Sequence, residues 1–186
     1  MSRRFDYGTS EGMLQILHPD RHKRMVVPPQ LAVILILCLI APFTAWLSLP
    51  AAVLLLLVDA VTVRLQIGKK GLPIGLAAIM AGRLRALGSL IYYVSFHLVR
   101  YYTLPLIVIA LTVTGFWAWV LPLAALLCAA GVDFSIKKPP LSFIRFCVIY
   151  LLEHTAYGAG VFWGCLSRRC FSSYRVVLLR QIELPA

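Results

Sequence analysis

Acidic residues are scarce in this chain: 7 Asp and Glu stand against 18 Lys and Arg in 186 residues, a net charge of +11. Two stretches, Met25–Val58 and Tyr101–Val132, lack charge of either sign over 34 and 32 residues. With 61% hydrophobic residues and a mean hydropathy of +0.86, an ordinary soluble domain is excluded and one integral membrane domain is the economical expectation. There is no Asp-x-Asp pair for a metal-bound nucleotide, no glycine-rich phosphate loop and no Gly-x-Ser-x-Gly elbow, so no catalytic core is legible. The five cysteines show no Cys-x-x-Cys spacing and read as small apolar residues kept reduced. The cations punctuate apolar segments instead of clustering with aromatics, which points to the bilayer and its anionic lipids, or an anionic lipid-linked substrate, and not to nucleic acid. A polar start to Arg24, followed by a long apolar run without a small-residue cleavage pattern, argues against a removable signal peptide.

Each charge-free stretch exceeds the roughly 20 helical residues that cross a hydrocarbon core of about 30 Å. Each also carries breakers near its middle: Pro42, Ser48 and Pro50 in the first, Gly115 and Pro122 in the second. They read as helical hairpins, either re-entrant or spanning. Arg21, Lys23, Arg24, Arg64, Lys69, Lys70, Arg100, Lys137 and Lys138 flank them, whereas the apices carry no charge. The positive-inside rule then places the flanks and both termini in the cytoplasm, at an inner (cytoplasmic) membrane. Trp46, Trp117 and Trp119 fall near the apices, where such rings suit either a headgroup boundary or internal packing.

The expected fold class is all-α and integral to the membrane, with each hairpin followed by an amphipathic interfacial helix. A cytoplasmic juxtamembrane segment, 1–24, precedes a membrane domain, 25–186, made of hairpin 25–66, interfacial helix 72–100, hairpin 101–134, helix 141–168 and tail 169–186. Ala45-Trp46-Leu47-Ser48-Leu49-Pro50 is echoed by Ala118-Trp119-Val120-Leu121-Pro122, which suggests either an internal duplication or a chance match in apolar sequence. Leu84, Leu87, Ile91, Val94 and Leu98 share one helical face, opposite Ser89, Tyr93, His97 and Arg100. Arg83 and Arg85 argue against that helix crossing the membrane. In the last helix Gly160 and Gly164 have the spacing of a close helix contact, expected against a hairpin.

Few residues carry chemistry. Asp59, Asp133 and Glu153, the last beside His154, are the intramembrane polar candidates, because burying an ionisable group is expensive. Lys137 lies one turn beyond Asp133 and Arg64 lies near Asp59, so interfacial ion pairs account for those two acids, and Glu153 with His154 is the better functional candidate. His18 and His22 are four apart, but Pro19 and the adjacent cations oppose a metal site, and none is expected.

Ser2-Arg3-Arg4-Phe5-Asp6-Tyr7-Gly8-Thr9-Ser10-Glu11, then His18-Pro19 and Val27-Pro28-Pro29, resembles the junction between catalytic domain and membrane tail in family 2 glycosyltransferases of the mycofactocin type. Ala156-Tyr157-Gly158-Ala159-Gly160-Val161-Phe162-Trp163-Gly164-Cys165-Leu166 resembles the stretch that closes those tails, and His97-Leu98-Val99-Arg100-Tyr101-Tyr102 is similar to their middle. The resemblance covers nearly the whole chain but only the tail of the family's architecture. It implies inverting sugar transfer from a nucleotide sugar, with the divalent metal and general base supplied by an upstream domain that this chain begins after. By position, Arg3, Arg4, Tyr7, Thr9 and Ser10 would face a diphosphate leaving group or the acceptor; Arg3 and Arg4 beside Phe5 equally suit an anchor on lipid phosphates. The resemblance implies no cofactor in this chain and no turnover by it alone. The implied role is membrane anchoring and acceptor positioning, with a separate nucleotide-sugar-binding catalytic chain as partner. The alternatives are a small carrier or assembly subunit using the intramembrane acids, and a purely structural anchor.

Overall fold

The computed structural model describes residues 2–20, 22–113 and 115–179. Among these, seven α-helices and a two-stranded ribbon follow one another: α1 (Ser2–Leu17), β1 (Lys23–Val26), α2 (Pro29–Ile40), α3 (Ser48–Gly68), α4 (Leu76–Tyr101), α5 (Thr103–Thr112), α6 (Phe116–Lys137), α7 (Phe143–Arg168) and β2 (Val176–Leu179), which pairs with β1. The expected all-helical character holds apart from this ribbon. Two helices are long and apolar enough to cross a membrane, α3 and the Ala118–Lys137 part of α6, and a third candidate is α4 with α5, bent by 81° where they meet. The arginines of α4 therefore do not exclude it as part of a bent span. The expected tail is described as far as Leu179, and the Trp117 side chain lies outside the described residues.

The chain divides into two compact units, one of residues 25–91 and 178–186, the other of 1–24 and 92–177. In the first, α2 and α3 pack together through Leu31, Ile34, Ala52 and Ala60, all buried. The chain reverses between them through a 3-10 turn, Ala41–Thr44, followed by Ala45 and Trp46 at φ 48° and 68°. Ser48 Oγ closes this turn by donating to Leu37 O at 2.7 Å. Pro42 sits in the turn and Pro50 in the first turn of α3, where a missing N–H costs no helical hydrogen bond. Val53, Leu54, Leu57 and Val58 of α3 stay exposed, an apolar surface that the unit does not cover.

The second charge-free stretch breaks differently. Gly115 is extended (φ −161°) ahead of α6, while Pro122 lies inside that helix and not at its break. Ala118–Pro122 is thus helical where its sequence echo, Ala45–Pro50, includes a left-handed turn, so the two segments share letters but not local structure. Trp46 and Trp119 are both exposed.

In the unit of 1–24 and 92–177, two surfaces of small residues set the packing. Ala125, Ala129 and Ala130 of α6 let Val99 of α4 and Tyr150 of α7 close into one apolar core. Gly8 and Gly12 of α1 meet Gly160 and Gly164 of α7, so the partner of the α7 glycines is the polar N-terminal helix. The backbones approach so closely that a Cβ on Gly8 would overlap Tyr157 O, one on Gly160 would overlap Phe5 O, and one on Gly12 would lie 2.7 Å from Gly164 O. Each glycine costs a helix about 1 kcal/mol relative to alanine, and α1 carries two within 16 residues. The contact with α7 is what offsets that cost.

Gly8→Ala or Gly160→Ala should destabilise this unit by about 1–3 kcal/mol, because the clash is with backbone that has no rotamer to adjust. Gly131→Ala on α6, where an added Cβ meets nothing within 4 Å, is the control and should be neutral or slightly stabilising. Thermal unfolding in detergent measures both.

Candidate functional site

Glu11 lies beside Gly12 on α1 and is carried into the protein by the glycine contact. Its Oε1 accepts from Tyr101 Oη of α4 at 2.9 Å and from Tyr157 Oη of α7, and its Oε2 accepts from Lys23 Nζ of β1 at 2.7 Å. Lys23 also donates to Ser173 O at 2.7 Å and sits 3.7 Å above the Tyr101 ring. Burial alone would raise the Glu11 carboxyl, but the hydrogen bonds from Lys23 and Tyr157 and the Lys23 charge outweigh it and hold the pKa below its ordinary value. For Lys23 burial wins over the attraction of Glu11 and lowers the ammonium. Burial, then the bond to Glu11, pushes the Tyr157 phenol well up, so it stays a donor.

In the same unit a cavity of about 320 Å³ opens among α1, α4, α6 and α7. Arg4 comes from α1, Phe96 and Arg100 from α4, Asp133 and Lys137 from α6, and Phe146, Ile149, Tyr150, Glu153, His154 and Tyr157 from α7. Lys137 pairs with Asp133 at 2.6 Å, and Tyr92 Oη donates to the other Asp133 oxygen at 2.8 Å. Arg4 reaches both Glu153 oxygens at 3.4 Å, a long pair in open surroundings. The Arg100 guanidinium lies 3.8 Å over the Tyr157 ring and has no carboxylate partner among the described residues. The His154 ring, edge-on to Phe96 and Tyr150, is pushed down to about 4, first by burial and then by the Arg100 charge, so it is neutral at physiological pH. Tyr150 Oη is buried with no hydrogen-bond partner among the described residues.

The residues singled out from the sequence separate into groups. Arg4, Asp133, Glu153 and His154 converge on the cavity. Arg3, Tyr7 and Ser10 lie exposed on the outer side of α1; Ser10 Oγ donates to Tyr7 O at 2.7 Å and Thr9 Oγ1 to Asp6 O at 2.8 Å. Asp59 pairs with Arg83 of α4 at 2.7 Å instead of the expected Arg64, inside the other unit. Asp133 takes Lys137 as its spacing implied. Gly160 and Gly164 seat α1.

Sequence reasoning did not single out Glu11, Lys23, Tyr101, Tyr150 or Tyr157 as site residues, and read Arg100 as a flanking cation and part of a polar stripe. One signal was available: Gly8 and Gly12 repeat the four-residue spacing of Gly160 and Gly164, and Glu11 lies inside that frame. The chain matches no family model, no curated protein and no solved structure.

Glu11→Gln should cost about 1–3 kcal/mol, since it leaves Lys23 half-buried without its counter-charge. A carboxyl with a depressed folded pKa contributes stability above its unfolded pKa of about 4.3, and that contribution is lost as pH falls through the folded value. Unfolding followed from pH 7 to pH 3 should therefore show wild type and Glu11→Gln converging in acid.

Proposed function

We propose that the chain is a membrane-anchoring and acceptor-positioning module of a family 2 glycosyltransferase-like system, serving a separate nucleotide-sugar-binding catalytic chain. The observation that carries the positioning role is the locked contact of polar α1 with α7, which fixes α1 beside a polar cavity. The glycosyltransferase kinship comes from the junction and closing motifs of the sequence, and those are the segments that form this contact: Gly8 and Gly12 lie in and just after the first, Gly160 and Gly164 in the second.

In this account α2 with α3, and α5 with α6, are the two hairpins of the inner membrane, entered and left from the cytoplasmic side. The uncovered apolar surfaces of α3, α5 and α6 face lipid, among them Leu54, Leu111 and Leu123. Lys137 ends the candidate span of α6 and Asp133 lies one turn before it, which supports a cavity at headgroup depth. The divalent metal of nucleotide-sugar chemistry does not fit the cavity's donors: Asp133 and Glu153 already face Lys137 and Arg4, and among the described residues no third ligand joins them. Metal and general base belong to the partner. A carrier path through Asp59, Asp133 and Glu153 is less well supported, because each acid is matched by its own cation.

In membranes the protein should resist alkaline carbonate extraction. Single cysteines replacing Ser2 and Lys138 in a cysteine-free background should both be labelled from the cytoplasmic side. Purified alone with a nucleotide sugar, a divalent metal and a lipid acceptor, it should give no transfer. Release by carbonate, or turnover by the chain alone, would contradict the assignment.

A further inference from the structure

The cavity holds more positive charge than its own acids neutralise. Of its three cations, Lys137 is matched by Asp133 and Arg4 loosely by Glu153, whereas Arg100 has no carboxylate partner among the described residues and is held by the rings and hydroxyls of the neutral Tyr101 and Tyr157. His154 adds no charge. Tyr150, 5% exposed, presents to the same cavity a hydroxyl with no hydrogen-bond partner among the described residues. Buried polar groups in folded proteins nearly always find a partner, and one left unmade is a sign that the partner is a ligand or water. A guanidinium without a carboxylate and an unpartnered phenol hydroxyl lining one cavity present donors to something that accepts, and the uncompensated charge selects an anion.

We infer that this cavity binds a phosphate ester, the headgroup of a lipid phosphate, through Arg100 and the Tyr150 hydroxyl, with Arg4 and Lys137 at its margin. A phosphate matches donors converging from three helices and α1, because it offers three or four acceptor oxygens where a carboxylate offers two. Stacking on Tyr157 holds the guanidinium plane in place before the ligand arrives. The Arg4 pair, long and solvent-open, is weak enough to turn toward a bound anion. The lipid origin follows from the cavity's lip: Ile149 lines the cavity and is also 44% exposed, next to the uncovered row Ile144, Val148 and Leu152 on α7. A headgroup bound here would leave its chains against that apolar surface. This deepens the acceptor-positioning role and rests on the membrane assignment made for it.

The test titrates the full chain in detergent with dihexanoyl phosphatidate, with dioctanoylglycerol, which lacks the phosphate, and with inorganic phosphate. Phosphatidate should bind saturably and the diglyceride should not. Arg100→Gln should weaken phosphatidate at least about ten-fold, and Arg100→Lys should retain part of the affinity. Tyr150→Phe keeps the ring and removes only an unpartnered oxygen, so it should leave thermal stability unchanged or raised while weakening binding several-fold. That variant decides the matter even if Arg100→Gln fails to fold. Inorganic phosphate binding as tightly as phosphatidate would support the phosphate site and overturn its lipid source. Diglyceride binding equally well, absence of any phosphate binding, or phosphatidate affinity unmoved in Tyr150→Phe would overturn the inference. A chain that survives carbonate extraction yet binds no phosphate fails this inference alone and leaves the membrane assignment standing.

Discussion

The close backbone contact between α1 and α7 is the constraint on which the rest of this unit depends. Helices that carry side chains at the crossing sit about 8–10 Å apart, and only glycine on both partners permits a nearer approach. Gly8, Gly12, Gly160 and Gly164 provide that approach over two turns of each helix. Its consequence is electrostatic as much as steric. Glu11 is one residue from Gly12, so the approach that joins the backbones also carries a carboxylate in among Tyr101, Tyr157 and Lys23. Arg4, one turn before Gly8, is delivered by the same contact to the cavity wall.

Charge in this protein is sparse and placed with care. Of seven acids, four form ion pairs among the described residues, with Arg4, Lys23, Arg83 and Lys137. Asp59 is the deepest of these and is matched by Arg83, which explains how α4 tolerates an arginine within a candidate bent span: a buried charge is costly alone and far less so when paired and hydrogen-bonded. Against that background Arg100 stands out, because among the described residues its partners are the rings and hydroxyls of Tyr101 and Tyr157 and no carboxylate. A cation held by neutral phenols keeps its charge uncompensated for an anionic ligand, whereas a cation paired with a carboxylate is already neutralised.

Local features were legible in the sequence, and long-range pairings were not. Charge-free runs, the breakers around Pro42 and Gly115 and the Asp133–Lys137 pair all depend on neighbours within one or two turns, and pattern reaches that far; the apolar face expected on α4 did not become its buried face, since Leu84 is exposed while Leu90, Ser95 and Val99 are buried. The partner of Gly160 and Gly164 was misplaced because a small-residue face specifies closeness but not what comes close. Ser2 to Arg24, polar and rich in cations, reads as a solvated segment, and its glycines look like breakers until a second glycine face is known to oppose them. Arg83 against Arg64 for Asp59 is the same lesson: the nearer cation in sequence lost to one 24 residues away that the fold brings within 2.7 Å. Tyr150 gave no sign, since an aromatic on an apolar helix face is ordinarily core and its orphaned hydroxyl is visible only in three dimensions.

The central claim is that α1 is a docked part of the folded unit and not a tethered surface helix. Amide hydrogen exchange of the full chain in lipid nanodiscs tests it most directly, because an isolated 16-residue helix with two glycines opens readily in water. The account predicts that amides from Phe5 to Gly12 are protected together with those from Tyr157 to Cys165, exchanging in one cooperative step. Free exchange across Phe5 to Gly12 while α7 stays protected would contradict it.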